Sequence, residues 1–171
     1  MSALPQRIAV TGASGLIGSA LVGHLKSEGH TVQRLVRRLP VSPDEVQWDP
    51  ATGYVDTAAL AGVDAVIHLA GVGVGDKRWS KKYKAQILNS RLLGTEAIAK
   101  AVAEVKPQVF ISASAIGWYG ESGNRAVIES DRAGDDFLAA VCREWEAAAD
   151  IASGVRTIKL RTGLVLDPTG G

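Results

Sequence analysis

The sequence has 171 residues, 46% hydrophobic and 22% charged, with a formal net charge of +1, which is enough chain for one domain with a sizeable core. So small a net charge excludes a global field favouring nucleic acid or an anionic membrane, and leaves a small molecule as the expected partner. Cys142 is the only cysteine, which excludes an intrachain disulfide and suits a reducing cytoplasm, and no stretch reads as a signal peptide or a membrane span.

Strand and helix patterns alternate along the chain. Residues 7–10 read as a buried strand. Leu16, Ile17, Ala20, Leu21 and Leu25 recur at helical spacing, and Gly29 closes that helix. Residues 31–36 form a second strand, rich in β-branched side chains. The stretch 39–56 contains Pro40, Pro43, Pro50 and Gly53, so it reads mostly as loop, with a short strand at 46–48. Residues 64–69 are an apolar strand that ends in Ala70-Gly71. A glycine-rich loop, 71–75, leads into a long helix over about 80–105, stopped by Pro107. A strand at 109–112, an irregular stretch to about 134, a helix over 135–152 and a strand at 156–160 complete the pattern.

Directly after the first strand stands Thr11-Gly12-Ala13-Ser14-Gly15-Leu16-Ile17-Gly18. Gly12 lets the chain turn tightly, Gly15 lets backbone approach a pyrophosphate, and Gly18 lets the helix pack closely on the sheet. The helix N-terminus offers free N–H groups and a positive dipole end, so Ser14, Leu16 and Ile17 would supply hydroxyl or backbone donors. Alone, such glycines mark an ordinary turn; between a strand and a helix they meet the context of a dinucleotide site. The second strand ends in Leu35-Val36-Arg37-Arg38, with no acid until Asp44. A carboxylate there would bind the ribose hydroxyls of NAD, whereas two guanidinium groups would bind a 2′-phosphate. The pattern therefore predicts NADP(H) as cofactor; the alternative is a solvated basic strand end. The whole arrangement predicts an α/β, Rossmann-like, doubly wound parallel sheet with helices on both faces.

Further stretches carry a resemblance. They are Trp48-Asp49-Pro50, His68-Leu69-Ala70-Gly71, Ser90-Arg91 with Gly94-Thr95, the run Ser112-Ala113-Ser114-Ala115-Ile116-Gly117-Trp118-Tyr119-Gly120, Trp145-Glu146, and Leu160-Arg161-Thr162-Gly163-Leu164-Val165-Leu166. Together with the glycine turn they resemble the atypical extended short-chain dehydrogenase/reductases of the NAD-dependent epimerase/dehydratase family, the cell-division-inhibitor-like branch. The resemblance implies that residues 1–171 are an NADP(H)-binding domain, to which the family adds a C-terminal substrate domain. It also implies that Leu69, Ala70 and Gly71 lie beside the adenosine, that Gln86 and Arg91 face the cofactor, and that Val165 lies near the nicotinamide. Leu69 and Ala70 as plain core, and Arg91 as a surface residue, are the alternatives.

The superfamily's Tyr-x-x-x-Lys pair is absent: Tyr54, Tyr83 and Tyr119 are followed four positions on by Ala58, Ile87 and Gly123. Ser114 matches the substrate-orienting serine, with a polar loop residue as the alternative, and Tyr119 is the candidate substitute for the missing tyrosine. Two function classes follow: an NADP(H)-dependent oxidoreductase or epimerase acting on a small carbonyl, hydroxy or sugar-nucleotide-like compound, or a silent NADP(H)-binding sensor. Lys77, Arg78, Lys81, Lys82 and Lys84 read as a solvated helix start or a contact for the family's further lobe, the alternative being a phosphate or nucleic-acid patch. His68, in an apolar strand, reads as a hydrogen-bonded core histidine, and no spacing suggests a metal. Cys142 reads as a helix-packing residue, Trp145-Glu146 has no evident physical role, and an open sheet edge would invite homo-oligomers.

Overall fold

The run Ile8-Ala9-Val10 has no solvent-facing side, because both faces of its strand are covered. In the computed structural model, which describes residues 4–167, it lies in β1 (Arg7–Thr11) near the centre of a seven-stranded sheet. The other strands are β2 (Thr31–Val36), β3 (Glu45–Asp49), β4 (Tyr54–Val55), β5 (Ala65–His68), β6 (Val109–Ala115) and β7 (Arg156–Thr162). They run β4-β3-β2-β1-β5-β6-β7, parallel except for β3–β4.

The helices are α1 (Leu16–Ser27), α2 (Lys81–Val105) and α3 (Phe137–Ala149). Gly29 takes φ +85°, and the N–H groups of Gly29 and His30 bond the carbonyls of Lys26 and Leu25 at 3.1 and 3.0 Å, which closes α1. Ser80 caps α2 by accepting the Tyr83 N–H at 3.2 Å. Lys106 ends α2 with φ +51°, one residue before Pro107. Asp136 accepts the Ala139 N–H at 2.8 Å, so α3 starts at 137 rather than at the expected 135.

The stretch read mostly as loop contains the short strand expected at 46–48, extended to 45–49 as β3, and one strand that was not expected, β4. The two are antiparallel and joined by a turn at Gly53 with φ +76°. Asp49 Oδ1 accepts the Ala51 N–H at 2.9 Å and fixes the turn. A strand of two residues has no alternation to detect.

Side chains of one sheet face, among them Ala9, Leu35, Val66 and Phe110, pack with Ile98 and Val102 of α2 and Ala149 of α3. Ile8, Val10, Val32 and Ala65 face the other way, against Val22 and Leu25 of α1. Each large apolar side chain so covered stabilises the fold by roughly 1.5–3 kcal/mol. Strand order reverses at β1, which has β2 on one side and β5 on the other. The connections there leave in opposite directions and open a crevice at the strands' carboxyl ends.

Candidate functional site: a crevice at the β1–β5 divide

Gly12 leaves β1 with φ +67°, and a Cβ on it would lie 2.9 Å from the Leu69 carbonyl carbon and 3.0 Å from the Ala70 nitrogen. A Cβ on Gly18 would overlap the Gly12 carbonyl oxygen. Gly15 caps α1 without a side-chain bond, and the first turn holds no acid. The leading N–H groups of α1, at Leu16 and Ile17, are therefore without a side-chain acceptor and suit an anion.

A cleft of about 710 Å³ opens beside this turn. Of the expected residues, Gly12, Ser14, Gly15, Arg37 and Arg38 line it from one side, and Leu69, Ala70 and Gly71 from the other. Gly18 is buried beneath the turn, and Leu16 and Ile17 start α1 directly after Gly15 without lining the cleft themselves. Arg34, Glu45, Trp48, Pro50 and Ser90 also line the cleft and were not singled out as site residues. Trp48 and Pro50 carried a signal in the Trp-Asp-Pro motif; Arg34 and Glu45, in or beside strands, carried none.

The two expected phosphate readers are unequal. Arg38 donates from Nη1 and Nη2 to the two Glu45 carboxylate oxygens, at 2.7 Å each. Arg34 reaches the same carboxylate at 3.1 Å and Asp44 at 3.2 Å. Arg38, helped by the Val41 N–H, holds the Glu45 carboxyl down at about 2, and Ser42 and Arg34 lower Asp44 further still. Arg37 has no carboxylate partner among the described residues and is exposed at the cleft.

Gln86 and Arg91, expected to face the cofactor, do not line the cleft. Gln86 is exposed on α2. Arg91 donates from Nη1 to the Val72 carbonyl at 2.8 Å and lies over the Trp145 ring at 4.9 Å. Burial lowers its pKa. Its place is behind the loop, which Ser90 also holds by accepting the Val72 N–H at 3.2 Å. His68 is wholly buried between Thr11 and Thr95, and burial pushes its pKa down to about 3. Cys142 is buried in α3, with its Sγ 3.8 Å from the Ala115 carbonyl.

Ser114 and Tyr119 lie elsewhere. Alternate residues of β6 face α3, and Ser114 is one of them; its hydroxyl donates to Glu146 Oε1 at 2.7 Å. It is 2% exposed and presents no hydroxyl to the crevice. Arg161 closes a bidentate pair on Glu146 at 2.8 and 3.0 Å and donates to the Tyr119 hydroxyl at 3.1 Å. Its guanidinium stacks 3.9 Å from the Trp118 ring centre, and Glu146 raises its pKa. This gives Glu146 of the Trp-Glu motif the role that the sequence left blank. Tyr119, Glu146 and Arg161 border a second cleft of about 530 Å³, with Ile128 and Leu160. Val165 is 40% exposed beyond β7 and lines neither cleft. Among the described residues, no helix is long and apolar enough to cross a membrane.

Comparison with known proteins places this geometry. A model of the NAD-dependent epimerase/dehydratase family matches residues 8–139. The epimerase family protein ML0860 of Mycobacterium leprae is 46% identical over 166 residues, 96% of this chain and 54% of the relative. The chain thus spans about half the length of the curated relatives it matches. The human epimerase family protein SDR39U1, solved with NADPH, is 31% identical with a TM-score of 0.83, over 96% of this chain and 56% of that one. MoeE5, solved with UDP-glucose and NAD, is 26% identical with a TM-score of 0.74, over 91% of this chain and 53% of that one.

Proposed function

The chain belongs to the NAD-dependent epimerase/dehydratase family, and from that premise we propose that it binds NADP(H) in the β1–β5 crevice and transforms a small carbonyl, hydroxy or sugar-nucleotide-like compound by hydride transfer. The observation that carries the choice of NADP(H) is the Arg37 guanidinium, which lines the cleft with no carboxylate partner among the described residues, where an NAD-selective site places an acid. Glu45 also lines the cleft, but Arg38 and Arg34 neutralise it. The NADPH in the related human structure supports the same choice, and the NAD in MoeE5 makes it worth testing.

When bound, the cofactor supplies or accepts a hydride at its nicotinamide. Gly12 and Gly15 admit its pyrophosphate, and the N–H groups of Leu16 and Ile17 with the Ser14 hydroxyl donate to it. Arg37 binds the 2′-phosphate, and Leu69, Ala70 and Gly71 form the adenosine wall. Tyr119, which borders the second cleft, stands in as proton donor for the missing Tyr-x-x-x-Lys pair only if substrate reaches from the crevice to that cleft. Ser114 orients substrate only if its hydroxyl leaves Glu146. In the family, a C-terminal substrate domain completes the substrate contacts; the working compartment is the cytoplasm.

The test is calorimetric titration of the chain with NADPH and then NADH. Tighter NADPH binding is expected, and equal affinities would sink the assignment. A second reading, an NADP(H)-binding sensor without turnover, is favoured by one observation: the Ser114 and Tyr119 hydroxyls are already engaged by Glu146 and Arg161. NADPH oxidation by the full-length protein against a panel of carbonyl compounds decides between them.

A further inference from the structure

Where β1 and β5 part, the N–H groups of Leu69 and Ala70 turn back to a single atom, Thr11 Oγ1, at 3.1 and 3.3 Å. A hydroxyl oxygen has two lone pairs and one proton. With two donors on the oxygen, its proton is left for His68 Nδ1, 2.7 Å away. The neutral ring then carries its own proton on Nε2, which donates to Thr95 Oγ1 at 3.0 Å. Thr11, His68 and Thr95 are all 0% exposed, so water does not compete for these bonds. The wall they hold touches the phosphate turn, because Leu69 and Ala70 crowd the space where Gly12 lacks a Cβ. Trp48, which lines the cleft, meets the His68 ring edge-on at 6.0 Å.

We propose that Thr95, His68 and Thr11 form a relay that fixes the His68 tautomer and so positions the 69–70 wall against the glycine turn. His68 and Thr95 are thereby positioning residues for dinucleotide binding, although neither lines the cleft. The proposal rests on the NADP(H) reading above. The depressed pKa of His68 keeps the ring neutral across the physiological range, so the relay is a fixed device and not a pH switch.

Thr95→Val keeps the side-chain shape but removes the acceptor for Nε2–H. The ring proton is then free to move to Nδ1, where it opposes the Thr11 hydroxyl. Thr95→Ser restores the acceptor. NADPH affinity is expected to fall about tenfold in Thr95→Val and to stay within about twofold of the parent in Thr95→Ser. His68→Phe, which keeps a ring in the space, is expected to match Thr95→Val. Nitrogen-15 spectra of the imidazole are expected to show Nε2–H in the parent and in Thr95→Ser, and a mixed or reversed tautomer in Thr95→Val. The parent spectrum depends on no variant folding, and an Nδ1–H ring there would overturn the relay outright. Folded Thr95→Val and His68→Phe proteins that bind NADPH like the parent would overturn it too. A parent that binds neither NADPH nor NADH would instead overturn the cofactor reading and, with it, the positioning role.

Discussion

Two glycine-to-alanine changes, three residues apart, should separate binding from stability. Gly15 has φ −77°, an angle alanine adopts freely, and its added Cβ would meet only the Gly12 carbonyl oxygen, at 3.4 Å. Gly18→Ala is different. Its Cβ would overlap that same oxygen, with the Gly12 carbonyl carbon at 2.8 Å and the Ala13 Cα at 2.9 Å. Comfortable carbon contacts need about 3.5 Å, and these neighbours are backbone, so α1 must shift by on the order of 1 Å. Overpacking of this kind costs about 1–3 kcal/mol, and more where backbone moves. The better helix propensity of alanine returns up to about 1 kcal/mol. A net loss of roughly 2 kcal/mol lowers Tm by about 4–8 °C in a domain of this size. Gly15→Ala exchanges one N-cap residue for a poorer one, at about 1 kcal/mol or less. Its methyl group occupies the approach to the helix N-terminus, so NADPH binding should weaken by about tenfold or more. Thermal melts and NADPH titrations of both variants check this. Gly15→Ala binding NADPH like the parent would refute the placement of the pyrophosphate. Gly18→Ala melting with the parent would refute the packing argument.

Three other outcomes are expected. Arg37→Ala should weaken NADPH by about tenfold and leave NADH within about twofold, because a charge-assisted bond to phosphate is lost; an unchanged affinity ratio contradicts the role of Arg37. Acid should destabilise the fold through His68. Its pKa is about 3 folded against 6.5 unperturbed, so between those values only the unfolded chain takes the proton. That contribution is complete above about pH 6.5 and is lost as pH falls toward 3, at up to about 1.4 kcal/mol per pH unit. Urea midpoints from pH 7 to 4 should therefore fall more steeply in the parent than in a folded His68→Phe protein, and parallel slopes would exclude His68 as the cause. Glu146→Gln should cost about 1–3 kcal/mol, because it removes the charge opposite a guanidinium only 15% exposed while leaving that group the Tyr119 hydroxyl and the Glu129 carbonyl as acceptors. The double change Glu146→Met with Arg161→Met should cost less than Glu146→Gln alone, and a urea midpoint for Glu146→Gln equal to the parent's would remove the pair from the stability argument.

The alternation of elements was legible because long helices and buried strands leave periodic patterns. Gly29 showed the end of α1 because only a residue tolerant of φ +85° closes a helix that way at low cost. Boundaries were blurred where tertiary pairing set them. The β7 ladder runs on to Thr162 because Ala113, Ser114 and Ala115 offer it partners that no local pattern announces. In the crevice, the residues of the glycine turn were readable, since that motif is continuous in sequence. The division of labour between Arg37 and Arg38 was not, because it depends on Glu45 seven residues further on. The bond that holds the Ser114 hydroxyl was not legible for a similar reason. The Ser114 motif identifies the residue type, but the direction of the hydroxyl is set by Glu146, 32 positions away on another element.

The position of β1 has a consequence for the order of assembly. Its partner on one side, β2, follows after a single helix. The hydroxyl of Thr11 finds His68 only 57 residues later, and His68 finds Thr95 after a further 27. A ribosome adds roughly 5–20 residues per second, so the nascent strand waits on the order of 10 s for its second neighbour. During that interval Ile8, Ala9 and Val10, fully covered in the finished sheet, have an open edge beside them. The nucleotide crevice is therefore complete only once residue 95 has been made, and until then the waiting strand is the segment that a chaperone would have most reason to hold.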